Sequence, residues 1–219
     1  MKRILRNSLL AAWLLAAAAA AAAQALVAGK DYLRIEPPQP TASGKAIEVL
    51  EFFWYACPHC NNLQPALKEW LKRKPSDVEF RREPAVLQQH WVPLTQAYHA
   101  LDAMGLVEKL HYEVFAAIHQ HKIRLSEPNV LFDWVAKQGV DRQKFVDTYN
   151  SFGVRSRTQR SIDLSTRYDI PGTPAIAVDG RYLLSPSLTL KPDNSVDYER
   201  FFKVLDQAIA MARKARAGK

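Results

Sequence analysis

The sequence predicts an α/β fold in which a long all-helical segment interrupts a domain built around a sheet. Three observations predict it. A strand, an amphipathic helix and a second strand follow one another over 46–82, as in a parallel βαβ unit. Helical periodicity then continues without a strand pattern over about 91–167. Two short strand-like runs joined by Asp179-Gly180 come next, and Asp-Gly is a strong hairpin signal.

The βαβ unit is predicted from its apolar patterns. The run over 46–54 is nearly continuous in apolar and β-branched residues, which is typical of a strand covered on both faces. A shorter strand is predicted before it, over 31–35, and another after the helix, over 78–82. The helix is predicted over 61–74, because apolar residues recur there at three- and four-residue spacing. They are Leu63, Leu67, Trp70 and Leu71.

The inserted segment is predicted to contain five helical stretches. The first begins at Pro93, which suits a first helical turn, and the second covers 107–118. Ser126 is expected to cap the third helix and Asp141 the fourth, because their side-chain oxygens can accept hydrogen bonds from free helical N–H groups. A fifth stretch is predicted over 157–168.

The chain is then predicted to return to the sheet and to end in a helix. Strands are expected over 175–178 and 181–184, and an amphipathic helix over 198–212. We expect the basic residues that follow to form a solvated, frayed helix end. They are Arg213, Lys214, Arg216 and Lys219.

The N-terminus has the layout of a secretory signal peptide over 1–25. Basic residues precede an apolar stretch over 9–23, and the small residues around Gln24 predict cleavage near Ala25. An uncleaved membrane anchor is the alternative, although alanine is only weakly hydrophobic and no charged cluster follows. The formal charge of +8 falls by three with the leader and is concentrated in the C-terminal tail, which disfavours nucleic acid as a partner.

The two cysteines of the 219-residue chain both lie in the motif Cys57-Pro58-His59-Cys60. A disulfide across two residues closes too short a loop to stabilise a secreted fold, so this pair indicates chemistry. A zinc site would need a second cysteine pair, and His59 lies between the cysteines instead of at ligand spacing. We therefore expect no metal, and no cofactor beyond a redox-active Cys57–Cys60 disulfide.

The position of the motif predicts how its two thiols differ. Cys57 opens a helix, where free N–H groups and the helix dipole stabilise an anion by about 0.3–2 kcal/mol, which lowers the pKa of a thiol by about one unit. Hydrogen bonds must supply the rest, and the His59 side chain is the expected extra donor. Pro58 should keep the first turn stiff, and Cys60 should be buried as the resolving thiol. A stabilised Cys57 thiolate favours the reduced form and makes the disulfide oxidising.

These residues resemble the DsbA-type oxidoreductases of the thioredoxin superfamily. The resemblance lies in Glu51-Phe52-Phe53, the motif at 57–60 and the distant Gly172-Thr173-Pro174. It implies a thioredoxin fold whose two parts, 26–90 and 168–219, flank a helical domain over 91–167. It also implies that Thr173-Pro174 is a cis peptide bond beside the cysteines and that the Thr173 backbone binds the substrate.

The same resemblance implies a role for Glu51 as a buried acid that accepts the Cys60 proton. The usual lysine partner is not evident, and Arg81 or Arg82 could replace it. Because an arginine does not release its proton, proton handling could differ from the family's. Trp54 and Tyr55, beside the motif, are candidates for the substrate-binding surface, with core packing as the alternative for Trp54.

The resemblance implies a periplasmic monomer that donates disulfides to reduced, unfolded exported proteins. A DsbB-type, quinone-linked membrane oxidase would re-oxidise it. Two alternatives stay open on the residues alone. An isomerase or reductase of the same superfamily would act from the reduced state, but the residues before the motif leave little room for the N-terminal dimerisation domain usual in isomerases. A chaperone would use the same groove and would not need the cysteines.

Overall fold

The structure is a computed structural model that describes residues 25–218. The predicted signal peptide therefore lies outside the described residues, apart from Ala25. Within the described part of the chain, no helix is long and apolar enough to span a membrane.

A five-stranded mixed sheet forms the centre of the fold, in the order β1-β5-β4-β2-β3. Strands β2 and β3 are parallel, as the βαβ pattern predicted, and the other neighbouring strands are antiparallel. The strands are β1 (Leu33–Arg34), β2 (Ile47–Phe53), β3 (Val78–Pro84), β4 (Ala175–Val178) and β5 (Tyr182–Leu184). All seven residues of β2 are buried, which agrees with the apolar run that predicted a central strand.

Helix α1 (Pro58–Arg73) starts at the cysteine motif, with Cys57 as its N-cap residue. It begins three residues before the predicted start at Asn61. Proline has the backbone φ of a helix and no N–H to leave unpaired, so Pro58 can occupy the first helical position. The cysteines therefore lie at a helix N-terminus, as predicted.

Five helices between β3 and β4 form the insertion. They are α2 (Val92–Ala103), α3 (Val107–His119), α4 (Pro128–Lys137), α5 (Arg142–Tyr149) and α6 (Phe152–Arg167). Asp141 caps α5 by accepting a hydrogen bond from the Lys144 amide, as predicted. The prediction that Ser126 caps α4 is wrong, because the N-cap residue is Glu127 and Pro128 opens the helix.

Helix α6 also begins earlier than the sequence pattern indicated. It starts at Phe152 instead of residue 157, because the Ser151 hydroxyl accepts a hydrogen bond from the Val154 amide and so caps the helix. The first turn of α6 contains Phe152, which is exposed, and Gly153, which is a poor helix former. The local pattern therefore concealed the true start.

The C-terminal helix α7 (Tyr198–Ala217) is longer than predicted, and its basic end is not frayed. Arg213 donates two hydrogen bonds to Asp77, at 2.6 and 2.7 Å. Arg216 pairs with Asp179 and also donates to the carbonyl oxygen of Lys45 at 2.8 Å. These contacts hold the last turns of α7 against the sheet, so the prediction of a solvated tail was wrong for Arg213 and Arg216.

Three apolar clusters place the site at a boundary between the sheet and the insertion. One cluster packs α1 and α7 on one sheet face, and another packs the end of α6 and the residues after it on the opposite face. The third joins the end of β2 and both cysteines to the insertion helices. The fold is therefore the predicted α/β class, a sheet domain with a helical insertion, and the cysteines lie where the two meet.

Candidate active site

Cys57 lies between the N-terminus of α1 and the loop that precedes β4. Its thiol donates a hydrogen bond to the backbone oxygen of Thr173 at 3.3 Å, although 116 residues separate the two. The Thr173–Pro174 peptide bond is cis, as expected. The structure thus brings together the two motifs that the sequence analysis singled out.

Hydrogen bonds lower the pKa of the Cys57 thiol to about 5. The largest cause is the Cys60 side chain, and the Thr173 side chain and the backbone N–H groups of Cys60 and His59 add to it, while burial opposes them. These amides belong to the free N-terminus of α1, so the position of Cys57 on the helix stabilises its thiolate.

Cys60 has the opposite environment, one turn further along α1. Its side chain is fully buried, whereas Cys57 keeps 8% of its surface exposed. Burial is the largest cause that raises the pKa of Cys60 well above its usual value, followed by the neighbouring Cys57. Cys57 is therefore suited to react as a thiolate, whereas Cys60 needs a group that takes its proton.

Pro58 and His59 lie on the protein surface, between the two sulfurs in sequence. The hydrogen bond that His59 contributes to the Cys57 thiolate comes from its backbone N–H. The imidazole is exposed, and its expected contribution to the thiolate remains a prediction.

Glu51 is fully buried on β2, and the structure identifies its cationic partner. Arg82 lies opposite Glu51 in the β2–β3 register, and its Nε is 3.4 Å from Glu51 Oε2. Arg81 instead pairs with Glu48 at 3.0 Å. Of the two arginines considered from the sequence, Arg82 therefore takes the place of the missing lysine.

Gln64 is a polar neighbour of Glu51 that the sequence analysis missed. Its Nε2 donates to Glu51 Oε1 at 2.9 Å and to the carbonyl oxygen of Cys60 at 3.3 Å. The available signal was its spacing, because residue i+4 from Cys60 lies on the same face of the helix. Despite the favourable contacts from Arg82 and Gln64, burial is the dominant effect and raises the pKa of Glu51.

Tyr55 does not belong to the substrate-facing surface. Its side chain is 1% exposed, packs against Phe53, and lies 3.1 Å from His111 Nδ1 through its hydroxyl. The prediction of Tyr55 as a surface candidate was therefore wrong. Trp54 is partly buried, and its ring stacks on Trp91 at a centroid distance of 4.4 Å.

Comparisons with known proteins agree with this geometry. The family described as the DSBA-like thioredoxin domain matches residues 48–191. The thiol:disulfide interchange protein DsbA of Bordetella parapertussis is 41% identical over 206 residues, which cover 94% of this chain and 96% of that protein. The protein of the same name from Burkholderia cepacia is 38% identical over 190 residues, covering 86% and 90% of the two chains.

Solved structures show the same likeness in three dimensions. The crystal structure of Pseudomonas aeruginosa DsbA has a TM-score of 0.80 and 34% identity, and the match covers 90% of this chain and 99% of that one. Reduced DsbA1 from Neisseria meningitidis has a TM-score of 0.75 and 29% identity, and the match covers 90% of this chain and 100% of that one.

Proposed function

The chain belongs to the DsbA-like thioredoxin domain family, and from that premise we propose how its two cysteines and Glu51 divide the reaction. The protein is a thiol:disulfide oxidoreductase that donates disulfides. The observation that carries the proposed division is the contrast between Cys57, a thiolate at the surface end of α1, and Cys60, a fully buried thiol.

In the donating half-reaction, a substrate thiolate attacks Cys57 Sγ of the Cys57–Cys60 disulfide. A substrate–Cys57 disulfide forms, and Cys60 leaves and takes up a proton. A second substrate thiolate then attacks the substrate sulfur of that mixed disulfide and releases the Cys57 thiolate. The low pKa of Cys57 makes it a good leaving group, so the disulfide passes readily to the substrate.

In the re-oxidising half-reaction, the Cys57 thiolate attacks the disulfide of an oxidant and forms a second mixed disulfide. Cys60 then loses its proton and attacks Cys57 Sγ, which restores the internal disulfide and releases the reduced partner. Glu51 is the proposed acceptor of the Cys60 proton, and in the donating direction it returns a proton to Cys60. Its raised pKa suits this exchange, because a carboxyl that is hard to ionise is a better base once ionised.

Thr173 and Pro174 are the proposed contact for the substrate backbone. The Thr173 carbonyl already accepts a hydrogen bond from the Cys57 thiol, so its position is fixed beside the reacting sulfur. As a thiolate or as part of a disulfide, Cys57 has no proton to donate, so that carbonyl is free to accept an N–H from an extended substrate. Such a main-chain hydrogen bond does not depend on the side chains of the substrate, which suits a protein with many substrates.

As a member of its family the chain is a periplasmic protein, and the finer assignments are proposals. We place cleavage of the signal peptide near Ala25, reduced and unfolded exported proteins as substrates, and a DsbB-type, quinone-linked membrane oxidase as the re-oxidising partner. We also propose that the enzyme acts as a monomer with Cys57–Cys60 as its redox group.

The decisive experiment is a redox titration of the Cys57/Cys60 pair in glutathione buffers, followed by tryptophan fluorescence. We expect a reduction potential well above the value of about −270 mV typical of thioredoxin. A potential at or below that value would instead indicate a reductase. His59→Gly keeps the backbone N–H and removes the imidazole, so a fall in potential in this variant would measure the side-chain contribution.

A further inference from the structure

Gln64 is the one amide side chain in contact with both Glu51 and the Cys60 segment among the described residues. It is 4% exposed and lies on α1 between Leu63 and Leu67, which are fully buried. An apolar side chain would suit this helix face at least as well. A buried amide here must therefore be explained by its polar contacts.

The hydrogen bonds around Glu51 are incomplete. Gln64 Oε1 is buried and has no hydrogen-bond partner in the described part of the chain, while Glu51 Oε2 and Arg82 Nε face each other as an ion pair at 3.4 Å without forming a hydrogen bond. Buried polar groups in folded proteins are normally paired, and an unpaired one destabilises the fold. The unpaired Gln64 oxygen therefore points to a contact that forms in another state of the site.

The two protonation states of Glu51 need different neighbours. A carboxylate only accepts hydrogen bonds, whereas a carboxylic acid also donates one. Arg82 is permanently charged and only donates, so it cannot accept the hydrogen that the protonated acid donates. A glutamine amide has an oxygen that accepts and a nitrogen that donates, and half a turn about its last torsion exchanges them.

We propose that Gln64 is a positioning residue that serves Glu51 in both protonation states. Its Nε2 donates to the carboxylate, as observed, and after half a turn its Oε1 accepts from the protonated acid. Gln64 thereby keeps Glu51 in a fixed position relative to the Cys60 segment while Glu51 takes up and returns the proton. The inference rests on the proposed role of Glu51 in the function above.

The test follows the two steps of re-oxidation separately. Reduced enzyme is mixed with oxidised glutathione, and stopped-flow fluorescence with acid-quench analysis measures the formation of the Cys57–glutathione disulfide and its resolution by Cys60 at pH 5–9. Gln64→Met keeps the length of the side chain without its hydrogen bonds. We expect it to slow resolution at least tenfold and to change the first step less than twofold.

Two further variants make the test specific. Asn62→Ala removes an exposed amide from the same helix and should leave both rates unchanged. Gln64→Glu can donate and accept only while it is protonated, so it should restore resolution at low pH and not at high pH. This pH-dependent rescue would not follow if Gln64 merely filled space, and it can be measured even if Gln64→Met folds poorly.

The outcomes separate this proposal from the one on which it rests. If Glu51→Gln leaves resolution unchanged, the proton role of Glu51 fails and the role of Gln64 fails with it. If Glu51→Gln slows resolution but Gln64→Met does not, or if Gln64→Met slows both steps equally, only the present proposal is overturned. If it is correct, Gln64→Met should add no further slowing to Glu51→Gln.

Discussion

Glu51 and Glu83 are buried carboxyl groups on the neighbouring strands β2 and β3, and their surroundings differ. Burial raises the pKa of both. Glu83 accepts a hydrogen bond from the Ser161 hydroxyl, and Ser161 Oγ lies 2.8 Å from His99 Nε2. Glu83, Ser161 and His99 therefore form a continuous series of hydrogen bonds, whereas Glu51 Oε2 has its ion pair with Arg82 at 3.4 Å and no hydrogen bond in the described structure.

This difference suggests that Glu83 has a structural role, whereas Glu51 takes part in the reaction. Ser161 on α6 and His99 on α2 connect the insertion to β3 through Glu83, and burial lowers the pKa of His99 to about 4, so its ring is neutral near pH 7. A complete network of this kind has one stable arrangement. The cluster around Glu51 is incomplete in the state observed, as expected for a group that changes its protonation during turnover.

The largest effect should come from replacing Glu51 with leucine, with the same replacement at Glu83 as the matched control. Glu51→Leu removes the proposed proton acceptor, and a general base contributes about 10²–10⁴ in rate, so resolution of the mixed disulfide by Cys60 should slow by about 10² or more. Glu83→Leu should change that rate less than twofold. Stopped-flow measurement of the resolving step in both variants is the check.

The two leucine variants can also be compared by their stability. Glu83→Leu leaves the Ser161 hydroxyl without its acceptor and should lower the free energy of unfolding measured by urea denaturation. If Glu83→Leu slowed the resolving step as much as Glu51→Leu, the contrast between a structural acid and a reacting one would be lost.

A second effect concerns the free energy of unfolding. The Cys57 thiolate should contribute about 2.7 kcal/mol to it at pH 7, and only in the reduced protein. The pKa of Cys57 is about 5 in the folded reduced protein and about 9 as an ordinary thiol, so its ionisation favours the folded state above pH 5. At pH 7 this amounts to about two pKa units, or about 2.7 kcal/mol at 1.36 kcal/mol per unit. The contribution is lost as the pH falls from 7 to 5.

The oxidised protein has no Cys57 thiol, so the contribution should be absent from it, while the network around Glu83 is common to both forms. Urea unfolding of both redox forms at pH 5, 6 and 7 should therefore show the stability advantage of the reduced form shrinking toward pH 5. Stability curves that stay parallel over this range would show that the thiolate is not stabilised as the geometry indicates.

The part of the site that could be predicted from the sequence is the part governed by local pattern. The position of Cys57 at a helix N-terminus followed from the strand, motif and helix order. The choice of Arg82 over Arg81 depended on the β2–β3 register, and the contact of Gln64 depended on how α1 lies over β2. The C-terminal helix was misjudged because Arg213 and Arg216 bind Asp77 and Asp179, which are distant in sequence.

A smaller effect, of about 1–3 kcal/mol, is expected from Ser161→Ala. The variant removes the hydroxyl between Glu83 and His99, and an unpaired buried polar group costs about that much. Urea denaturation should show the loss of stability, while the reduction potential of the cysteines should stay the same. Thr158→Ala, on the same helix, removes a hydroxyl that bonds only within α6 and is a suitable control. A loss as large in the control would mean that the contact with Glu83 contributes nothing specific.

The smallest effect should come from Glu83→Gln, which keeps an oxygen to accept from Ser161 but cannot ionise. Because the pKa of folded Glu83 is raised, the unfolded chain ionises first as the pH rises, and the folded state loses stability over that interval. Glutamine removes this loss. The variant should therefore match the wild type near pH 4 and become more stable than it toward pH 8. Thermal unfolding across this range tests the sign, and a variant that is less stable at pH 8 than at pH 4, relative to the wild type, would mean that ionised Glu83 is stabilised in the fold. Glu83 would then resemble an ordinary ion-paired carboxylate, and its contrast with Glu51 would have to rest on the hydrogen bonds alone.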